Sequence, residues 1–100
     1  MGTKITFGES KVERFKELTE KMVRVYEAKN EDYGDSFSEG IQEFGYISAV
    51  VRMSDKFNRL KNLLLHNKDA KVNSESVKDT LLDQASYSIM LIMELENEEN

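Results

Sequence analysis

The sequence predicts an all-α fold, a small antiparallel helical bundle completed by oligomerisation. Three observations carry that expectation. The 100 residues contain no proline and only five glycines, so little interrupts a helix. Apolar residues recur at three- and four-residue spacings over three long stretches. The last of these contains "YSIMLIMEL", apolar nearly all round. A helix of that kind is buried on several sides, and a chain this short has a thin core to offer it.

The elements follow in order. The first helix is expected from Ser10 to about Lys29, with Val12, Phe15, Leu18, Met22, Val23 and Tyr26 as one apolar stripe. Ser10 is its candidate N-cap, and Glu13 completes a capping box. Asn30 ends the pattern, and residues 32–36 have turn chemistry around Gly34. Ser38 to Phe44 provides two further turns of helix, and Gly45 permits a bend. A second long helix is expected from Tyr46 to about His66, with Val50, Met53, Phe57, Leu60 and Leu64 facing the core. Arg52, Asp55, Arg59 and Asn62 fall on its opposite side. "HNKDAKVNS" reads as a polar loop. Asn73 or Ser74 would cap a last helix from Glu75 to about Glu94. The whole is expected to be one domain, 1–100, with residues 1–9 as an N-terminal arm and 95–100 as a frayed tail.

Bulk composition narrows the function. A net charge of −5 and a pI near 4.9 argue against binding a nucleic-acid backbone, but leave room for a single nucleotide held by a local cationic patch. There is no cysteine, which excludes thiolate–metal, disulfide and cysteine-nucleophile chemistry. The one histidine, His66, gives little support to a serine–histidine triad and falls in a loop. No run of about 18 apolar residues is present and the N-terminus has no apolar signal core, so a cytoplasmic protein without a membrane partner is expected.

Chemistry is concentrated in three places. Glu75, Asp79 and Asp83 are spaced by four and stack along one helix face. Like charges at that spacing repel by a few tenths of a kcal/mol per pair. Two readings stand: a solvated acidic face, or a site for a hard cation such as Mg²⁺. On the preceding helix, "RMSDKFNRLK" places Arg52, Asp55 and Arg59 on one face beside Lys56. Asp55 and Arg59 are either an ordinary surface ion pair, or part of a wall in which Asp55 joins a metal and the cations grip phosphate. The third place is "KNEDYGDSF". Residues 32–43 have the length of a calcium loop, but Gly34 takes a ligand position and Phe37 the position that needs glycine, so an EF-hand is rejected. Tyr33 there is either a packing residue or a contact to base or sugar, with Asp32 or Asp35 adding an acid and Glu39 and Glu43 further candidates.

"KNEDYGDSF", "VVRMSDKFNRLKNL" and "ESVKDTLLDQASYSIMLIMEL" together resemble a family of small phage and bacterial proteins, the nucleotide modification associated domain type 1. The resemblance spans about residues 25–95. Its helical pattern is in turn similar to the all-α nucleoside triphosphate pyrophosphatases, the MazG-like enzymes and dimeric dUTPases. Those enzymes hold Mg²⁺ on acids of two neighbouring helices and cleave between the α- and β-phosphates. The resemblance implies a Mg²⁺-dependent nucleotide pyrophosphohydrolase, homo-oligomeric, in a host cytoplasm if phage-encoded. It puts Asp79 and Asp83 in the catalytic role, and Asp55, Glu75, Asp79 and Asp83 in the metal set. Arg52, Lys56, Arg59, Tyr33 and Asp35 would bind substrate. The sequence departs from the pattern: its acids are four apart rather than three, and the Glu-x-x-Glu pair has no clean match. The competing expectation is a nucleotide binder that sequesters its ligand or assists base modification without catalysis.

Overall fold

The computed structural model describes residues 9–65 and 70–99. It contains four helices there and no strand: α1, Glu9–Tyr33; α2, Ser36–Phe44; α3, Ile47–Leu65; and α4, Ala70–Glu99. The all-α expectation holds.

The helix boundaries follow the glycines more closely than the apolar pattern. α1 runs four residues beyond the expected stop. Asn30, Glu31 and Asp32 continue the helix, and Gly34 ends it at φ 69°, its N–H donating to the Asn30 carbonyl at 2.9 Å. That is the left-handed cap in which a fifth residue bonds back to the first, a conformation glycine adopts without a Cβ penalty. Gly45 closes α2 in a different positive-φ conformation, φ 83° with ψ −177°, its N–H donating to Ile41 O at 2.7 Å. α2 begins two residues early, because the Asp35 carboxylate accepts the Ser38 N–H at 3.3 Å and serves as its N-cap. Ser10 lies inside α1 rather than at its cap, and Glu9, expected in the arm, is already helical.

α4 is longer than expected at both ends. Residues 70–74 are helical rather than loop, so Asn73 and Ser74 lie within the helix rather than at its cap. Nothing between Ala70 and Glu99 is a glycine or proline, and alanine, lysine and glutamate favour continuation. The tail expected to fray, from residue 95, is helical to Glu99. Side-chain bonds tie this end down: the Ser38 hydroxyl donates to the Glu94 carboxylate and the Tyr46 hydroxyl to that of Glu98. His66 lies outside the described residues.

The chain divides into two compact units, one up to Gly34 and one from Asp35 onward. The first is α1, an amphipathic helix with surface ion pairs Arg14–Glu17 at 3.6 Å and Lys16–Glu13 at 3.8 Å. The second is built from α2, α3 and α4. Arg59 meets Thr80, Lys56 meets Asp83 and Tyr46 meets Glu98, so α3 and α4 run antiparallel. α2 crosses α3 closely, and a Cβ on Gly40 would stand 3.3 Å from the Ser48 hydroxyl. The small core comprises Phe37, Ala49 and Leu60 with the Thr80 side chain. Phe37 stacks on Tyr87 with ring centroids 5.8 Å apart and planes 10° from parallel.

The expected faces of α3 are only partly right. Leu60 is buried, but Val50, Phe57 and Leu64 from the same stripe are about half exposed or more. Ala49 is buried instead, and Arg52 and Arg59 from the supposed outer side, with Lys56 adjacent to them, engage α2 and α4. The alkyl stems of arginine and lysine cover apolar surface while their charged ends reach polar partners. A face rich in such residues can therefore close a helix pair.

Candidate functional site

The α3–α4 seam brings together three of the charged residues singled out above, Lys56, Arg59 and Asp83. The Lys56 ammonium is 2.9 Å from Asp83 Oδ2, with both side chains about a quarter exposed. One turn further along, Arg59 Nε donates to the Thr80 hydroxyl at 3.2 Å. That hydroxyl donates in turn to the Ser76 carbonyl at 2.6 Å, so a buried polar group is satisfied on both counts. One turn the other way, the Arg52 guanidinium lies over the Phe37 ring, its carbon 5.9 Å from the centroid. Arg52, Lys56 and Arg59 thus form one cationic row, three and four residues apart, beside the polar side of α4.

The remaining candidates sit elsewhere. Asp55, Glu75 and Asp79 are exposed, as are Glu39 and Glu43 on α2. Asp35 caps α2 through its carboxylate. Tyr33 is the last residue of α1, in the first unit. Among the described residues, no group of three or more Asp, Glu, His or Cys gathers where one metal ion could be held. The expected set of Asp55, Glu75, Asp79 and Asp83 is therefore not assembled into a cage within one chain, and Asp83 is neutralised by Lys56.

Some participants escaped the sequence reading. Thr80 and the Phe37–Tyr87 stack were not singled out, nor were the hydroxyl contacts of Ser38 and Tyr46. One signal was available: Ser76, Thr80, Gln84 and Ser88 recur every four residues, a polar stripe inside an apolar helix. Ser88 donates to the Gln84 carbonyl at 3.1 Å, and the Gln84 side-chain oxygen is buried without a hydrogen-bond partner.

A family model described as nucleotide modification associated domain 1 matches residues 29–95, two-thirds of the chain. The chain belongs to that family. The match takes in α2, the whole of α3 and most of α4, so every residue of the cationic row and its partners is inside this nucleotide modification associated domain. No curated protein and no solved structure matches the chain. No helix of the described residues is long and apolar enough to cross a membrane.

Proposed function

We propose that this protein binds a nucleotide by its phosphates along the cationic row of α3, and that it does so as a homo-oligomer. The observation that carries the reading is the row itself. Arg52, Lys56 and Arg59 are aligned on one helix of a chain whose net charge is −5, within a domain whose family is named for nucleotide modification. Phosphate oxygens are strong acceptors, and arginine presents a planar fork of donors that suits them. Lys56 would exchange its bond to Asp83 for a phosphate oxygen, and Arg59 would keep Nε on Thr80 while offering its terminal nitrogens. The reading uses residues of the second unit alone.

Equilibrium binding of nucleoside mono-, di- and triphosphates, in EDTA and again with Mg²⁺, tests it. Binding in EDTA that falls tenfold or more in Lys56→Ala and Arg59→Ala is expected, since a charged hydrogen bond is worth about 1.5–3 kcal/mol. Absence of binding for every nucleotide under both conditions sinks the reading.

A second reading, Mg²⁺-dependent pyrophosphohydrolysis, is favoured by one observation. Glu75, Asp79 and Asp83 remain stacked on α4, with Asp83 directly beside the Lys56 cation. Mg²⁺ is often held by one or two carboxylates together with substrate phosphates. On this reading Asp79 and Asp83 are the acids that matter, with Asp55 and Glu75 as further ligands. Pyrophosphate release from a nucleoside triphosphate with Mg²⁺, lost in Asp79→Asn, would establish it. An intact ligand after prolonged incubation leaves the binding reading alone.

A further inference from the structure

We infer that Thr80 is a positioning residue of the phosphate site: its hydroxyl holds the Arg59 guanidinium in one orientation before any ligand arrives. The inference rests on the phosphate-binding reading above and deepens it. Of the three cations in the row, it names Arg59 as the one set in place by a neutral partner. Every residue involved belongs to the second unit.

The starting point is a buried hydroxyl that stability does not require. Thr80 is 2% exposed and lies with Phe37, Ala49 and Leu60 in the small core. Valine has nearly the same shape and no polar group to bury, and a hydroxyl is favoured over a methyl there only through the bonds it makes. Thr80 makes two. It donates to the Ser76 carbonyl at 2.6 Å and accepts from Arg59 Nε at 3.2 Å. The first bond stays inside α4 and holds nothing else in place. In a regular α-helix the Ser76 carbonyl already accepts the Thr80 backbone N–H, and a second bond of this kind slightly disfavours the helix. The second bond is the one that reaches another element.

The two bonds are nevertheless linked. A hydroxyl has one hydrogen. With that hydrogen committed to Ser76, the oxygen turns only lone pairs toward α3. Threonine in a helix has few side-chain rotamers, and this back-bond selects one of them. The result is a fixed acceptor facing a residue that can only donate, since arginine has no acceptor of its own.

The consequence falls on the guanidinium. Arg59 is held at its backbone by α3 and at Nε by Thr80. The guanidinium is planar and delocalised, so fixing the Nε–H direction also fixes the plane of the two terminal nitrogens. Those nitrogens form the fork that can take two oxygens of one phosphate. A free arginine samples many rotamers, and ordering it opposes binding; an arginine already ordered escapes much of that cost. The other two cations are held differently. Lys56 lies 2.9 Å from Asp83, an anion that offsets its charge and competes with phosphate for it. Arg52 lies over the Phe37 ring, 5.9 Å from its centroid, with no oxygen to fix its plane in that contact. The Thr80 hydroxyl is neutral, so it orients a cation and leaves its full charge for the ligand.

The test has two readouts. The first uses the full chain without nucleotide and follows the Arg59 Nε–H by nuclear magnetic resonance. A slowly exchanging Nε–H signal is expected in the native protein and in Thr80→Ser, and its loss in Thr80→Val. The second measures binding of the four common deoxynucleoside triphosphates in EDTA. Thr80→Val should weaken binding about two- to tenfold, the worth of ordering one long side chain, and Thr80→Ser should restore most of it. In an Arg59→Ala background Thr80→Val should make no further difference, because there is then no guanidinium to position. Circular dichroism checks that each variant stays helical, and Thr80→Ala replaces Thr80→Val with the same expectations if it does not. Unchanged binding in the valine variant overturns the inference, as does a loss that persists at full size in the Arg59→Ala background. Either result leaves the phosphate site standing. Absence of binding by the native chain is the different failure: it removes the phosphate site and the positioning role with it.

Discussion

Removing the Lys56–Asp83 pair one partner at a time, and then whole, separates its structural role from its electrostatic one. The 2.9 Å contact, at an effective dielectric of about 20–40, corresponds to about 3–6 kcal/mol of bare attraction. Most of that is offset by desolvation and by ordering two long side chains. Exposed pairs retain about 0.2–1 kcal/mol, and breaking fully buried ones costs about 3–5. With both side chains about three-quarters buried, a coupling near 1.5 kcal/mol is expected. Lys56→Met takes the ammonium away from the Asp83 carboxylate, and Asp83→Leu takes the carboxylate away from the Lys56 ammonium. Each single variant should lose about 2 kcal/mol, and the double variant about 2.5 rather than 4. Urea unfolding followed by circular dichroism measures all four proteins. Protein concentration must be held fixed, because association would otherwise move the midpoint. The coupling should shrink but persist in 1 M NaCl, since a partly buried pair is incompletely screened. A coupling below about 0.5 kcal/mol, or one abolished by salt, would refute the reasoning and place the pair with ordinary surface contacts.

Other expectations are simpler to check. Phe37→Ala removes the largest buried ring, together with its stack on Tyr87 and its contact with Arg52, and should cost about 3–5 kcal/mol in urea unfolding. Gly34→Ala and Gly45→Ala meet no atom within 4 Å, so each should cost only its backbone strain, about 1–2 kcal/mol at Gly34 and about 1–3 kcal/mol at Gly45, whose φ 83° and ψ −177° are essentially confined to glycine. A loss below about 0.3 kcal/mol at either position would show that the helix can end another way.

Much of the fold was legible because helix periodicity is local. The four helices, the stop at Gly45 and the turn around Gly34 follow from residue types within a few positions of each other. The ends of α4 were misjudged because polar composition was read as loop. Lysine, glutamate and asparagine do not break a helix in the absence of glycine or proline, and contacts from Ser38 and Tyr46 support the far end. The cationic row was legible as residues, whereas its partners were not. Only the packing of α4 against α3 says that Lys56 finds Asp83 rather than Asp79, and that Arg59 finds a threonine.

The inversion of α3 has a physical reading that joins the site to the assembly. A helix with an apolar stripe and a cationic row has two faces to place, and the periodicity alone does not say which meets its neighbour in the chain. Here the cationic row turns toward α2 and α4, where Lys56 pairs with Asp83, Arg59 donates to Thr80 and Arg52 lies over the Phe37 ring. Val50, Phe57 and Leu64 are left outward. An exposed apolar stripe is unfavourable for an isolated subunit, at about 25 cal/mol per Å² of surface left in water. The homo-oligomer proposed above would remove such a stripe from solvent.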